Sequence, residues 1–398
     1  MIQEDMPERT LLMIPGPIEL DPEVLRVMSR PQLGHMDPLV TAAFGRVLVR
    51  MREVFQAPSA QPFVVAGSGT LAMELSVANL VDPGDRAVVV NTGYFGDRMH
   101  AILDRLGARI EDVRAPVGHA PDLAAIERAI MADATKLVAV THVDTSTGVR
   151  APVEAIARLA RARGALVVVD GVCAIGGEEL RQDAWGVDVA LTASQKALGA
   201  PPGLALVMAG PRALAAWRAK KSRVASLYLD FSEWLPIMEA YERGTPAYFA
   251  TPPVNLILAL DVSLGHIIAE GIDARVARHG RMAAAFRAGC RALGLATLPT
   301  SEQLSANTLS AIYYPEGVDA TLVGRVRAEG VTIAGGLHPE IKSKYFRVGH
   351  MGAMGASDLL AVVGALERAL AASGHPVKQG AGLSAAQAAL TAAVWPAA

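Results

Sequence analysis

The run Ala165-Leu-Val-Val-Val169 is apolar at every position and closes on a carboxylate, Asp170. Successive residues of a strand face opposite sides of its sheet. Five apolar residues in a row therefore need a sheet covered on both faces. Similar runs occur at Phe63–Ala66, Arg86–Asn91, Lys136–Thr141, Asp188–Thr192 and Leu204–Met208. Between them, Gly69–Leu80, Phe95–Leu106, Leu123–Ala132 and Val153–Arg163 carry apolar residues at helical spacing. This alternation predicts an α/β fold with a mainly parallel, helix-covered sheet.

The pattern changes after Thr251-Pro252-Pro253. A long helical stretch runs to about Leu293 with a break near Gly271. It is followed by a strand-like run at Thr308–Tyr314, a helix at Ala320–Glu329, short strands at Val331–Ala334 and Tyr345–Val348, and a helix at Asp358–Ala372. The expected organisation is an N-terminal arm (1–20), a large domain (21–253), a smaller C-terminal α+β domain (254–375) and a tail (376–398). The alanine-rich Ser384–Val394 of the tail is expected to dock as a helix.

Of the 398 residues, 52% are apolar and 19% charged, with 37 cationic against 39 anionic side chains. That composition excludes a disordered chain. The net charge of −2 supplies no global field for a nucleic-acid backbone or an anionic membrane. Two cysteines, Cys173 and Cys290, make no disulfide scaffold, and no His/Cys cluster suggests a metal site. The longest apolar stretch, Val254–Ile268, is interrupted by Asn255, Asp261 and His266, so no membrane span is expected. The polar, acidic start, MIQEDMPERT, does not read as a signal peptide, and a cytoplasmic location is the expectation. The mean hydropathy of +0.31 must go into a large core or a subunit interface.

Two features carry chemistry. Gly67-Ser68-Gly69-Thr70-Leu71-Ala72 lies between a strand and a helix. It fits the G-x-G-x-x-A dinucleotide fingerprint, but the next strand ends in Asn91 where that fold wants an acid for the ribose. It fits equally a phosphate cup at a helix N-terminus, or a plain turn. Asp170 ends its apolar strand where ligands of open α/β sheets bind. One strand later comes Ser194-Gln195-Lys196-Ala197, flanked by small residues and Gly199-Ala-Pro-Pro-Gly203. An acid, a lysine and a phosphate loop together suit pyridoxal phosphate. That cofactor needs a lysine at its aldehyde, a carboxylate at its pyridine nitrogen and an anion site.

The chain resembles the class V, fold-type I aminotransferases, in particular the alanine–glyoxylate and serine–glyoxylate (serine–pyruvate) group. The resemblance runs from Ile14-Pro-Gly-Pro17 to about Leu370. Its most specific pieces are Ala66-Gly-Ser-Gly-Thr70, Thr141-His-Val-Asp-Thr-Ser-Thr-Gly148, Val169-Asp170 with Ile175-Gly-Gly177, and Ser194–Gly203. Further pieces are Tyr248-Phe-Ala-Thr-Pro-Pro253, Ala334-Gly-Gly336 and Phe346-Arg-Val-Gly-His-Met-Gly352. It implies a fold-type I large domain with a seven-stranded, mainly parallel sheet, and pyridoxal 5′-phosphate as cofactor. By the same resemblance Lys196 binds the cofactor covalently and Asp170 partners the pyridine nitrogen. Ser68, Gly69 and Thr70 hold the phosphate, and Gln195 is a further cofactor ligand. Phe95 stacks on the ring, with Tyr94 as the alternative, and Thr145 lies near the ring O3′ and the substrate. Arg347 clamps the substrate carboxylate, a task suited to a planar fork. Tyr248 and Thr251 reach the phosphate of a neighbouring subunit, which implies a homodimer with composite sites.

The implied activity moves an amino group from alanine, or serine, to glyoxylate, with amino acid and 2-oxo acid as the small-molecule partners. Other readings are a ureidoglycine or aminoethylphosphonate transaminase, a cysteine desulfurase or lyase, and, more remotely, a nicotinamide oxidoreductase. His142 reads as a core histidine with an alternative role near the cofactor. His35 and His350 read as surface or packing residues. Cys173 reads as a small buried hydrophobe.

Overall fold

The computed structural model describes residues 10–392; the first nine residues and the last six, including Trp395-Pro-Ala-Ala398, lie outside it. Two early helices, Pro22–Met28 and Pro38–Val54, start alike. Asp21 and Asp37 accept the N–H two residues on at 2.7 and 2.8 Å, and proline takes the first position, where no N–H is needed.

Seven strands form the main sheet in the order Gln61–Ala66, Leu204–Ala209, Val189–Ala193, Leu166–Asp170, Leu137–Thr141, Arg86–Asn91, Arg109–Arg114. Leu204–Ala209 runs antiparallel to both neighbours, and the remaining pairings are parallel. Leu166–Asp170 and its neighbours Leu137–Thr141 and Val189–Ala193 are buried at every position, as expected of strands covered on both faces. Six strands match the apolar runs of the sequence. The seventh, Arg109–Arg114, is an edge strand whose charged, largely exposed residues give no apolar signature.

Two main cores stand behind the site. The first joins the sheet to its helices and takes in Ile257, Leu260, Leu264 and Ile267 of the helix Val254–Glu270, grouped above with the C-terminal domain. The chain breaks at Gly271, whose φ of 83° suits glycine, before the helix Ile272–Ala292. The second core packs Phe286, Ile312, Phe346, Val348 and Leu366 around an antiparallel sheet ordered Leu309–Tyr313, Tyr345–Gly349, Ala334–Gly335. The tail helix Ala381–Ala392 docks there through Ala386. The arm also joins it. Leu11–Leu12 pairs in parallel with Val331–Thr332, and the Met13 carbonyl accepts from Gly349 N–H at 2.8 Å. Among the described residues no single helix is long and apolar enough to cross a membrane; Val254–Glu270 and Ile272–Ala292 qualify only jointly and meet at 88°.

Candidate active site

The parallel strands end along one edge of the sheet, and the site is built just beyond those ends. Strand Gln61–Ala66 turns through Gly67-Ser68 into the helix Gly69–Ala78. Ser68 is the N-cap residue, yet its hydroxyl makes no capping bond. The first N–H groups of a helix have no partner within it, so hydroxyl and amides together form an anion cup. A Cβ on Gly69 would lie 2.9 Å from Val172 Cγ2, so glycine lets this helix start abut the loop after Asp170.

Ser68, Gly69, Thr70, Phe95, Asp170, Gln195 and Lys196 line one cavity of about 220 Å³, together with Met73, Arg98 and Val172. Asp170 is buried, and its Oδ1 accepts from Val172 N–H at 3.0 Å. Burial pushes its carboxyl up to about 7, against the pull of the Val172 N–H, Arg98 and Lys196; the nearby Asp144 charge adds to the rise. Lys196 is equally enclosed. Its Nζ donates to the Pro15 carbonyl of the arm. Burial, assisted by the Arg347 charge, draws its ammonium below the ordinary lysine range. Gln195 Oε1 is buried with no hydrogen-bond partner.

Phe95 faces this cavity and Tyr94 does not; the two rings meet edge to face at 5.4 Å. Their helix, Tyr94–Arg105, is capped from outside. Asp144 Oδ2 accepts from Phe95 N–H and Ser146 Oγ from Tyr94 N–H, both at 3.0 Å. One helical turn after Phe95, Arg98 Nη1 donates to Thr70 Oγ1 at 2.8 Å, and its guanidinium lies 4.8 Å from the Phe95 ring centre. Neither Arg98 nor Asp144 stands out in the sequence as a site residue. The three-residue spacing from Phe95, which puts Arg98 on the same helix face, was the available signal.

Arg347 arrives from the second core. Its Nε donates to Gly335 O at 2.9 Å and its Nη1 to Thr145 O at 3.2 Å. No carboxylate pairs with it among the described residues, and burial lowers its pKa. Tyr345 fixes this side of the site. Its hydroxyl donates to Ser146 O and accepts from Leu337 and His338 N–H, each at 2.8 Å. Thr145 is buried next to it in the hairpin that carries Asp144 and Ser146.

Tyr248 and Thr251 stand apart from the cavity. They are exposed, with their hydroxyls 3.4 Å from each other. His142 packs edge-on to Trp185 at 6.5 Å and lines a different cleft, with Arg150 and Glu179. Its Nδ1 has no partner, and burial holds its pKa at about 3. His350 is a packing residue and not a surface one: it is fully buried, and its ring nitrogens meet Ser310 Oγ and Asn307 O, both at 2.9 Å. The His35 ring lies 5.3 Å from that of Tyr248, tilted by 43°. Cys173 and Cys290 are free and each 1% exposed.

The dinucleotide alternative fails at Asn91. That side chain serves the backbone, accepting from Gly93 N–H at 3.1 Å and donating to Asp97 at 2.9 Å. Pyridoxal phosphate fits what is present. The anion cup has a free hydroxyl, Gln195 an unused oxygen, and Asp170 no cation in contact, while an aromatic ring flanks the cavity and a lysine opens into it.

Comparisons with known proteins agree with this fit. The family model of the class-V aminotransferases matches residues 27–357. Alanine–glyoxylate aminotransferase 1 of Saccharomyces cerevisiae is 40% identical over 356 residues, covering 86% of this chain and 91% of its own. Serine–glyoxylate aminotransferase of Arabidopsis thaliana is 32% identical, covering 96% and 95%. Among solved structures, the ureidoglycine–glyoxylate aminotransferase of Bacillus subtilis superposes with a TM-score of 0.90 at 30% identity, covering 98% of this chain and all of that one.

Proposed function

The chain belongs to the class-V aminotransferases, and on that premise we propose that it moves the amino group of alanine or serine to glyoxylate, giving glycine and a 2-oxo acid. It is a pyridoxal-phosphate-dependent aminotransferase. The observation that carries the reading is a set of enclosed charges, Lys196, Asp170 and Arg347, none of which has an ionic partner among the described residues.

Bound pyridoxal phosphate supplies a ring that accepts the electron pair of a substrate Cα–H bond. The protein does the rest. Lys196 Nζ, once released from the cofactor, would be the base that takes and carries the proton of the substrate Cα. An amine whose pKa burial has lowered suits that exchange. Asp170 holds a proton on the ring nitrogen, so that its own charge gains a partner. Ser68, Gly69 and Thr70 would hold the phosphate, Gln195 would add a further cofactor contact, Phe95 would flank the ring, and Thr145 would border the substrate. Arg347 clamps the α-carboxylate of the amino acid and then that of the 2-oxo acid. Both half-reactions share one site, so the carboxylate is the common handle.

The same reading makes the enzyme a homodimer. Leu39 and Val49 are 68% and 60% exposed on the helix Pro38–Val54, beside a groove of about 540 Å³ lined by Val27, Pro31, Leu33 and Leu39. Tyr248 and Thr251 are exposed and outside their own subunit's cavity, which leaves them free to complete a phosphate cup in a second copy. Sedimentation of the wild type as a dimer is expected, and a fully active monomer would end this part of the reading. Two unpaired cysteines support a reducing, cytoplasmic compartment. The desulfurase alternative lacks its nucleophile, since both thiols are buried.

The deciding experiment supplies alanine, serine, aspartate and ureidoglycine in turn with glyoxylate and measures glycine. Stoichiometric glycine from alanine or serine is expected. Absence of glycine with both would sink the donor assignment.

A further inference from the structure

Among the described residues, Arg98 is the one cation of the cavity wall that neither the lysine nor the carboxylate chemistry uses. It sits on the helix Tyr94–Arg105, whose start is pinned by Asp144 and Ser146, so its position is fixed by the hairpin that also carries Thr145. One guanidinium nitrogen donates to Thr70 Oγ1 at 2.8 Å. Its Cζ lies 4.8 and 5.1 Å from the ring centres of Phe95 and Tyr94. Those are its contacts among the described residues: Nε and Nη2 have no protein acceptor, and no carboxylate neutralises it. Asp97, next to it in sequence, is taken by Arg114 and Asn91. The Asp170 carboxyl feels its charge across the cavity.

A half-buried guanidinium with two unused nitrogens, set over an aromatic ring and tied to the hydroxyl of an anion cup, calls for an anion. We propose that Arg98 is a positioning residue for the cofactor phosphate: it supplies the cationic charge of the Ser68-Gly69-Thr70 cup, and through Thr70 and Phe95 it locks the cup to the ring-stacking platform. The inference rests on assigning that loop to the phosphate. The cup itself contributes only neutral donors, a hydroxyl and helix N–H groups. A phosphate dianion in a cavity that also holds Asp170 is held more tightly with a full positive charge beside it. Arg98 provides it from one side, while its stack on Phe95 keeps the guanidinium from swinging toward Asp170.

The test follows retention of the cofactor by the holoenzyme, and needs no turnover. Wild type, Arg98→Gln, Arg98→Lys and Ser68→Ala are loaded with pyridoxal phosphate or with pyridoxal, which lacks the phosphate, and equilibrium loss on dialysis is read from absorbance. Arg98→Gln should lose pyridoxal phosphate at least about tenfold more readily and leave pyridoxal retention within twofold. Arg98→Lys keeps the charge without the fork and should lose about threefold.

The ³¹P shift of the bound phosphate supplies a signature that a purely structural role would not move. It should be flat from pH 5.5 to 8.5 in wild type (values set by the free phosphate step near ~6) and should titrate in Arg98→Gln. A flat profile in Arg98→Gln, or equal loss of both cofactor forms, overturns the proposal. Should Arg98→Gln fail to fold, Arg98→Lys decides, and retention of pyridoxal phosphate equal to wild type in that variant overturns it too. Loss in Ser68→Ala with none in the Arg98 variants rejects Arg98 alone. Wild type that keeps pyridoxal as well as pyridoxal phosphate rejects the phosphate cup itself.

Discussion

Arg275 and Arg347 are both guanidinium groups sunk into the protein, and their surroundings differ in one respect. Arg275, beside the helix break at Gly271, gives Nη1 to Glu270 at 2.7 Å, Nε to Gly176 O at 2.9 Å and Nη2 to Ala197 O at 2.8 Å. Arg347 has two carbonyls and no carboxylate. The carboxylates repeat the contrast. Asp261 is gripped by Arg46 at 2.6 Å and Arg50 at 2.5 Å, whereas Asp170 has one backbone N–H. An enclosed charge without an opposite charge costs several kcal/mol. The paired set therefore belongs to the architecture, and the unpaired set is completed by what binds. Arg275 also links the two: its bonds to Gly176 O and Ala197 O hold the turn that carries Lys196.

Substitutions can break this contrast. Lys196→Ala should lower turnover by about four orders of magnitude and abolish borohydride fixation of the cofactor, with the melting temperature of the cofactor-free protein nearly unchanged. Borohydride fixation that survives would remove Lys196 from its role. Arg275→Leu should destabilise the fold by about 3 kcal/mol, because it strips a buried partner from Glu270 and two carbonyls; a melting curve like wild type's would make its pairing dispensable. Arg347→Leu should act the opposite way, leaving stability intact while the donor KM rises about 10- to 150-fold, from a charge-assisted contact of about 1.5–3 kcal/mol. An unchanged KM removes it from the carboxylate role.

The smallest effect sharpens the case of Asp170. Its folded pKa of about 7 lies above the ordinary carboxylate value of 3.8, so the folded, cofactor-free protein binds the extra proton. The stability associated with that proton is complete below about pH 4 and is lost as pH rises through 7. Cofactor-free Asp170→Asn, which carries no such group, should exceed cofactor-free wild type in melting temperature at pH 8, with the gap narrowing below pH 7 and closing near pH 4. A gap independent of pH would mean that the carboxyl is already ionised throughout.

Legibility in the sequence followed the range of the interactions. The strand ending in Asp170, the Gly67–Ala72 turn and the Ser194–Gly203 segment are contiguous, so their chemistry could be read from neighbours along the chain. The edge strand Arg109–Arg114 escaped because its burial is one-sided and its residues are charged. Arg98 escaped because its partner Thr70 is 28 residues away, and a lone arginine on an amphipathic helix reads as solvated. His350, read as surface or packing, is buried because Ser310 and Asn307 arrive from another strand and loop to satisfy both ring nitrogens.

By itself the sequence determined six of the seven strands of the main sheet and the residue types that a pyridoxal enzyme needs, because backbone hydrogen bonding and apolar periodicity are local. Only the tertiary structure decided which charges are partnered and which are left for a ligand. Pairing depends on distances across the fold. The arm meeting Lys196 across 181 residues, and Arg347 meeting Thr145 across 202, have no trace in local pattern.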